Sequence, residues 1–160
     1  TIGNAHLLVN RKLDTIFVGD FSNYENLGNG ILKIIKNEKA GAIHSTGFSI
    51  LPFEYEEISV LNKQLLKVRK DGKYGLYGIL GKEIVPPGYD DIYISKNYII
   101  FEKDGKISID IIESFIQEAL VRTKKPELKY EDFEIIENKV ICFEGDKEVL
   151  LDSFFKVMLT

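Results

Sequence analysis

The sequence predicts a mainly β fold: tandem antiparallel β-hairpin or meander units forming a twisted sheet or partly closed barrel, with one α-helix near 111–124. Three observations carry this. Residues 31–58 lie over residues 65–92 without a gap at a shift of 34, with ten identities where composition alone gives about two. Asp71-Gly72 and Asp104-Gly105, the strongest short hairpin signals, each separate two strand-prone runs. A Tyr-acid-acid-apolar ending recurs at Tyr55–Ile58, Tyr89–Ile92 and Tyr130–Phe133. A fixed period of this size marks stacked repeats, each hiding its apolar face against the next.

In chain order, two β-prone runs, His6–Val9 and Thr15–Val18, flank the polar Asn10–Asp14 and predict a hairpin. Tyr24-Glu25-Asn26-Leu27 reads as the first copy of the recurring ending. In the best unit, Leu65–Lys70 and Lys73–Tyr77 are strands around Asp71-Gly72, because a type I′ turn needs positive φ at both central residues. Lys82–Val85 is a short third strand, ended by Pro86-Pro87, which cannot donate to a ladder. The unit is thus a three-stranded meander plus a linking corner. The preceding unit keeps the plan, with Asn37-Glu38 at the turn.

The following unit starts well at Tyr98–Phe101 and then lengthens. Ile112, Phe115, Ile116, Ala119 and Leu120 fall on one helical stripe, Arg122, Lys124 and Lys125 suit a helix C-terminus, and Pro126 stops it. Lys139–Phe143 and Glu148–Leu151 flank a last polar turn, and the apolar Phe154–Leu159 is expected to cap the stack, with an exposed edge that pairs with another chain as the alternative. The expected organisation is one β-repeat domain, 1–160, with units near 5–27, 28–61, 62–95, 96–136 (carrying the helix) and a capping unit, 137–160.

Composition bounds the function. At 160 residues and 44% hydrophobic content the chain can bury a core of its own. No run reaches the roughly 18 apolar residues of a membrane helix, so no membrane is expected as a partner. Acidic and basic residues (25 and 21, net charge −4) are mixed along the chain, which argues against nucleic acid. The local basic run Lys67-Val68-Arg69-Lys70 reads as a solvated hairpin end. Thr1-Ile2-Gly3-Asn4 shows no signal peptide, and the single Cys142 allows no internal disulfide; both point to a cytoplasmic location. The missing initiator Met fits processing or excision from a longer protein.

Lys70-Asp71-Gly72-Lys73-Tyr74-Gly75-Leu76, then Gly81-Lys82-Glu83-Ile84-Val85-Pro86-Pro87 and Tyr89-Asp90-Asp91-Ile92, resembles the bacterial WG (KWG) repeat. Tyr74 stands at the repeat Trp, and Ala40 and Ile107 hold that place in the flanking units. The resemblance implies arrays of β-hairpins acting as interaction or structural modules. It supplies no catalytic residues.

The chemical inventory is thin. Glu56, Glu57, Asp90, Asp91, Glu131 and Asp132 offer either a ladder of calcium sites or turn acceptors for backbone N–H; without a DxDxDG-like run the second reading is preferred. His6 and His44 lie in no triad pattern, and His44, aligned with Gly78, belongs beside a turn. Cys142 sits in a strand-like run and reads as a small buried hydrophobe. Tyr74, Tyr77, Tyr93 and Tyr98 lie on strands, as half-buried β residues or as an aromatic stripe for a partner. Catalytic, cofactor and metal residues are therefore expected to be none, and the binding residues stay unassigned.

The expected function is a non-enzymatic protein-interaction or scaffold module that uses a sheet surface or an edge strand. A small acidic inhibitor or immunity-type protein, neutralising a basic effector, is the alternative. A hydrolase with a spatially assembled site comes third.

Overall fold

A computed structural model describes residues 6–121, 125–137, 139–151 and 157–159. The chain divides into two compact units, Thr1–Pro87 and Gly88–Thr160. In the first, β1 (His6–Val9) and β2 (Thr15–Gly19) form a two-stranded hairpin. Next come β3 (Asn23–Gly28), β4 (Ile31–Lys36), β5 (Lys39–His44) and β6 (Ser49–Tyr55), a four-stranded sheet in simple meander order. A second meander follows, β7 (Glu57–Val60), β8 (Leu65–Lys70), β9 (Lys73–Gly78) and β10 (Glu83–Tyr89), its last strand leading out of the unit.

The second unit opens with β11 (Asp91–Ser95), β12 (Tyr98–Lys103) and β13 (Lys106–Ile111), a three-stranded sheet, and continues into α1 (Ile112–Val121). It ends with β14 (Asp132–Ile136), β15 (Lys139–Glu144), β16 (Lys147–Leu151) and β17 (Val157–Leu159). Among the described residues the fold is mainly β, built of successive antiparallel meanders with one helix. Among the described residues no barrel closes; the strands fall into five short sheets. No helix among them is long and apolar enough to cross a membrane.

The break between sheets falls at the recurring corner. Tyr55 still pairs with Ala40 of β5, whereas the next backbone N–H, of Glu56, donates to the Arg69 carbonyl of β8 at 2.8 Å. One peptide unit thus hands the chain to a new sheet. Residues 57–60 then continue as the outermost strand of that sheet, so the repeat carries four strands where its sequence predicts three. The strand expected to stop at Pro86-Pro87 runs on to Tyr89. β10 lies at the end of its sheet, where a residue without an N–H costs no ladder bond on the open side.

The first copy of the corner is also displaced from its expected place. Ser22 N–H donates to the Ile35 carbonyl at 2.9 Å, and Asn23 Oδ1 accepts from Tyr24 N–H at 2.8 Å. Those are the bonds of Glu56 and, one residue on, of Asp91 and Asp132 in later copies. The structural first copy is therefore Phe21-Ser22-Asn23-Tyr24, 34 residues before Tyr55. Tyr24-Glu25-Asn26-Leu27 matches in letters only, and lies inside β3.

Turn chemistry follows the sequence. Asp71 and Gly72 take φ of 52° and 73°, and Asp104 and Gly105 take 52° and 71°. Asn37 and Glu38 do the same at 51° and 62°, with Glu38 in a region that suits glycine better. Close approach explains two further pairs of glycines. A Cβ on Gly75 would sit 2.6 Å from Pro87 N, and one on Gly41 2.6 Å from the Phe53 ring. These are equivalent places, where the fourth strand bulges across the third. A Cβ on Gly81 would run into the Ile50 carbonyl, and one on Gly47 would lie 3.2 Å from the Ile16 carbonyl, so the two four-stranded sheets of the first unit each rest on the sheet before them through a glycine.

Apolar side chains fill the space between sheets. Ile31, Ala42, Leu51 and Tyr55 meet Ile58, Leu66 and Val68 across the two four-stranded sheets of the first unit. The first hairpin packs Leu8, Ile16 and Phe17 on Leu32, Ile34 and Ile43. In the second unit Tyr98, Ile100, Ile107 and Ile109 pack on Val140, Cys142, Val149 and Leu151. Phe115 of α1 is fully buried, with its ring 5.3 Å from that of Phe101. Ile116 and Ala119 are buried on the same stripe, as the spacing predicts. Arg122, Lys124 and Phe154–Lys156 lie outside the described residues; Val157–Leu159 pairs antiparallel with β16.

Candidate functional site

The corner carboxylates work for the fold. Glu56 accepts from Gly72 N–H at 3.2 and 3.3 Å, Asp90 from Asp104 N–H at 2.7 Å, and Glu131 from Gly145 N–H at 3.3 Å. In three successive copies the first acid of the corner therefore hooks the tight turn of its own sheet, whose N–H groups the hairpin leaves unused. Asp91 and Asp132 cap the N–H of the next residue at 2.7 and 2.8 Å. Among the described residues no three His, Cys, Asp or Glu stand together as metal ligands.

Cations near these acids are matched to them. Arg69 Nε lies 3.1 Å from Glu56, Lys70 Nζ 2.9 Å from Glu54, and Lys106 Nζ 3.2 Å from Glu131. The Lys106 ammonium, first by its hydrogen bond and then by its charge, holds the Glu131 carboxyl below the usual carboxylate range; Gly145 N–H adds to this. Lys67 stands 4.0 Å over the Tyr74 ring, so the basic run is dispersed among an acid, an acid and an aromatic face.

The singled-out nucleophiles and bases are not brought together. His44 Nδ1 shares a 2.8 Å hydrogen bond with the Thr46 hydroxyl beside the β5–β6 turn. His6 is exposed, its ring 5.2 Å from Phe21. Cys142 is fully buried in β15, and burial pushes its thiol up to about 12. Tyr98 is buried. Tyr77 and Tyr93 donate to Glu83 and Glu102 at 2.6 and 2.8 Å. Burial foremost, and then those bonds to carboxylates, raise both phenol pKa values.

Among the described residues, two sheet edges depart from the repeat plan and leave backbone open. The first is β1. By the 34-residue shift β1 and β2 correspond to β5 and β6, yet β5 is paired on both sides whereas β1, among the described residues, pairs with β2 alone. Leu7 (60% exposed), Val9 (37%) and Val18 (59%) lie on this hairpin. A groove of 650 Å³ beside it is lined by Leu8, Val9, Ile16, Tyr24 and Leu32, among others.

The second edge is β13. In the two complete repeats a fourth strand covers this place; here α1 follows β13 instead, and among the described residues only Tyr130 bridges to Ile107. The Ile107 N–H donates to the Tyr130 carbonyl at 2.7 Å, and the Ile107 carbonyl accepts from Lys129 N–H at 2.9 Å. Beyond it a cleft of 320 Å³ opens between Ser108–Asp110 and Lys125–Lys129, floored by Phe101 and Phe115. The lengthened interval between Ile109 and Tyr130 was the sequence signal for this edge; read for its helix alone, it conceals the missing strand.

The family comparison accords with the repeat. The family model described as "WG containing repeat" matches residues 41–74 and 74–106. No curated protein matches the chain. Two solved structures, described as "KlHsv2 with loop 6CD replaced by a Gly-Ser linker" and "Kluyveromyces lactis Hsv2 complete loop 6CD", are similar over 91% and 92% of the chain. Both are 9% identical, with TM-scores of 0.41 and 0.39. The chain covers 55% and 53% of them, about half their length. The two matched copies meet at Tyr74, the residue in place of the repeat Trp, and residues 41–106 of this chain are similar to the WG-containing repeat.

Proposed function

We propose that this chain is a non-enzymatic scaffold module whose β1 edge recruits a partner protein by strand addition. The observation that carries the reading is the first hairpin: an edge strand flanked by exposed Leu7, Val9 and Val18. Exposed, unpaired edges with apolar side chains are ready templates for another strand. In the equivalent β5, Gly41 and Ile43 turn their N–H and C=O toward β4; Leu7 and Val9 hold those positions in β1. The rest of the molecule supports a scaffold role, since its carboxylates, cations and tyrosines are engaged in holding turns and sheets.

Capture from the native host at moderate salt, followed by mass spectrometry, tests this. The wild-type chain is expected to retain a partner that Val9→Pro loses, because proline removes the outward donor, with the melting temperature of the two within a few degrees. Recovery of the same partner by both proteins, or no partner together with a positive turnover screen, overturns the reading.

A further inference from the structure

The β13 edge points to a second, separate binding place, and we propose that the cleft beside Ile109 takes a short extended peptide of the aliphatic-aliphatic-proline kind from another protein. The argument starts from the ladder. The two-residue turn closes on Lys103 and Lys106, so Lys103, Phe101 and Ile99 share bonded pairs with Lys106, Ser108 and Asp110. Ile107, Ile109 and Ile111 therefore turn their backbone groups away from β12. Tyr130 and Lys129 take those of Ile107, and Asp110 Oδ1 takes the Ile111 N–H at 2.9 Å. Among the described residues nothing takes the N–H and C=O of Ile109.

The repeat itself states what belongs there. Ile109 corresponds to Ala42, which pairs with Leu51 of β6. Leu51 and its counterpart Val85 are buried to 1% and 0% exposure, and each is followed by proline, at 52 and 86. At 320 Å³ the cleft is at the lower end of the range for ligand sites, roughly 300–1,000 Å³. Lys129 and Tyr130 close it at the Ile107 end, so the occupant is short. It runs antiparallel to β13, and its main chain bonds Ile109.

The test uses the full chain and a capped, fluorescein-labelled peptide with the sequence of residues 81–88, Gly-Lys-Glu-Ile-Val-Pro-Pro-Gly. Saturable binding is expected, with exchange of the Ile109 amide slowed about tenfold, and with about tenfold weaker binding for the peptide N-methylated at its Val. Ile109→Pro should abolish binding; if that variant misfolds, the N-methyl peptide gives the same reading on the unaltered chain. Absence of binding, equal affinity of the N-methylated peptide, or protection of Ile109 in the free protein, whether by its own chain or in a concentration-dependent dimer, overturns the proposal.

Discussion

Glu56 Oε1 accepts a hydrogen bond from the Gly72 N–H at 3.2 Å, reaching sixteen residues forward from a sheet corner to a hairpin turn. Asp90 with Asp104 and Glu131 with Gly145 repeat the relationship fourteen residues apart. Glu56→Ala should cost about 1 kcal/mol, since the bonds are partly exposed and Arg69 supplies only a surface ion pair. Urea denaturation gives the loss, and faster exchange of the Gly72 amide locates it. A double-mutant cycle with Arg69→Ala separates hook from ion pair. An unchanged Gly72 amide would show the hook to be inert.

The same hook predicts an acid response at the third copy. Lys106, and then Gly145 N–H, lower the Glu131 pKa in the folded state. A group with a depressed folded pKa adds stability above its unfolded pKa, near 4.3 for Glu, and loses it as pH falls through the folded value. Wild type should therefore exceed Glu131→Gln in urea midpoint at pH 7, and the gap should close below about pH 4. A gap that holds constant down to pH 3 would sink this.

Glu38 holds φ at 62° in the β4–β5 turn, where the equivalent copies place Gly72 and Gly105. Glu38→Gly should stabilise the chain by up to about 1 kcal/mol, the relief of left-handed strain exceeding the added freedom of the unfolded state. Thermal unfolding reads it as a higher melting temperature. A lower one would mean that the Glu38 side chain holds the turn by itself.

Gly81 and Gly28 both have φ of +87°, but a Cβ on Gly81 would strike the Ile50 carbonyl whereas one on Gly28 meets nothing within 4 Å. Gly28→Ala thus measures backbone strain alone, about 1 kcal/mol. Gly81→Ala should cost at least about 1 kcal/mol more, because backbone must move. Equal losses in urea midpoint would show that the sheets do not depend on that approach.

Much of the fold was legible where local chemistry and tertiary pairing agree. β8 spans Leu65–Lys70 as read, because Asp71-Gly72 dictates its end and apolar residues its faces. The helix was legible from its stripe, and Phe115, Ile116 and Ala119 do turn inward. The fourth strand was not: Pro86-Pro87 argues against a strand unless the strand is known to lie at an edge, which is a tertiary fact. For Glu56 the role of turn acceptor was legible, but its donor, the Gly72 N–H, was not, because it lies sixteen residues away. The open backbone at Ile109 was harder still, since it is defined by a strand that the copy no longer contains.

Gly47 faces Ile16 and Gly81 faces Ile50, each carbonyl lying 31 residues earlier. An insertion anywhere between such a glycine and its carbonyl would carry the two out of step. The copies ending at Tyr55 and Tyr89 are accordingly of one length, whereas the next, in a stretch without any glycine between Gly105 and Gly145, has grown a helix. This chain carries Ala, Tyr or Ile in place of the signature aromatic, yet where the resting glycine is kept its copies hold a fixed stride.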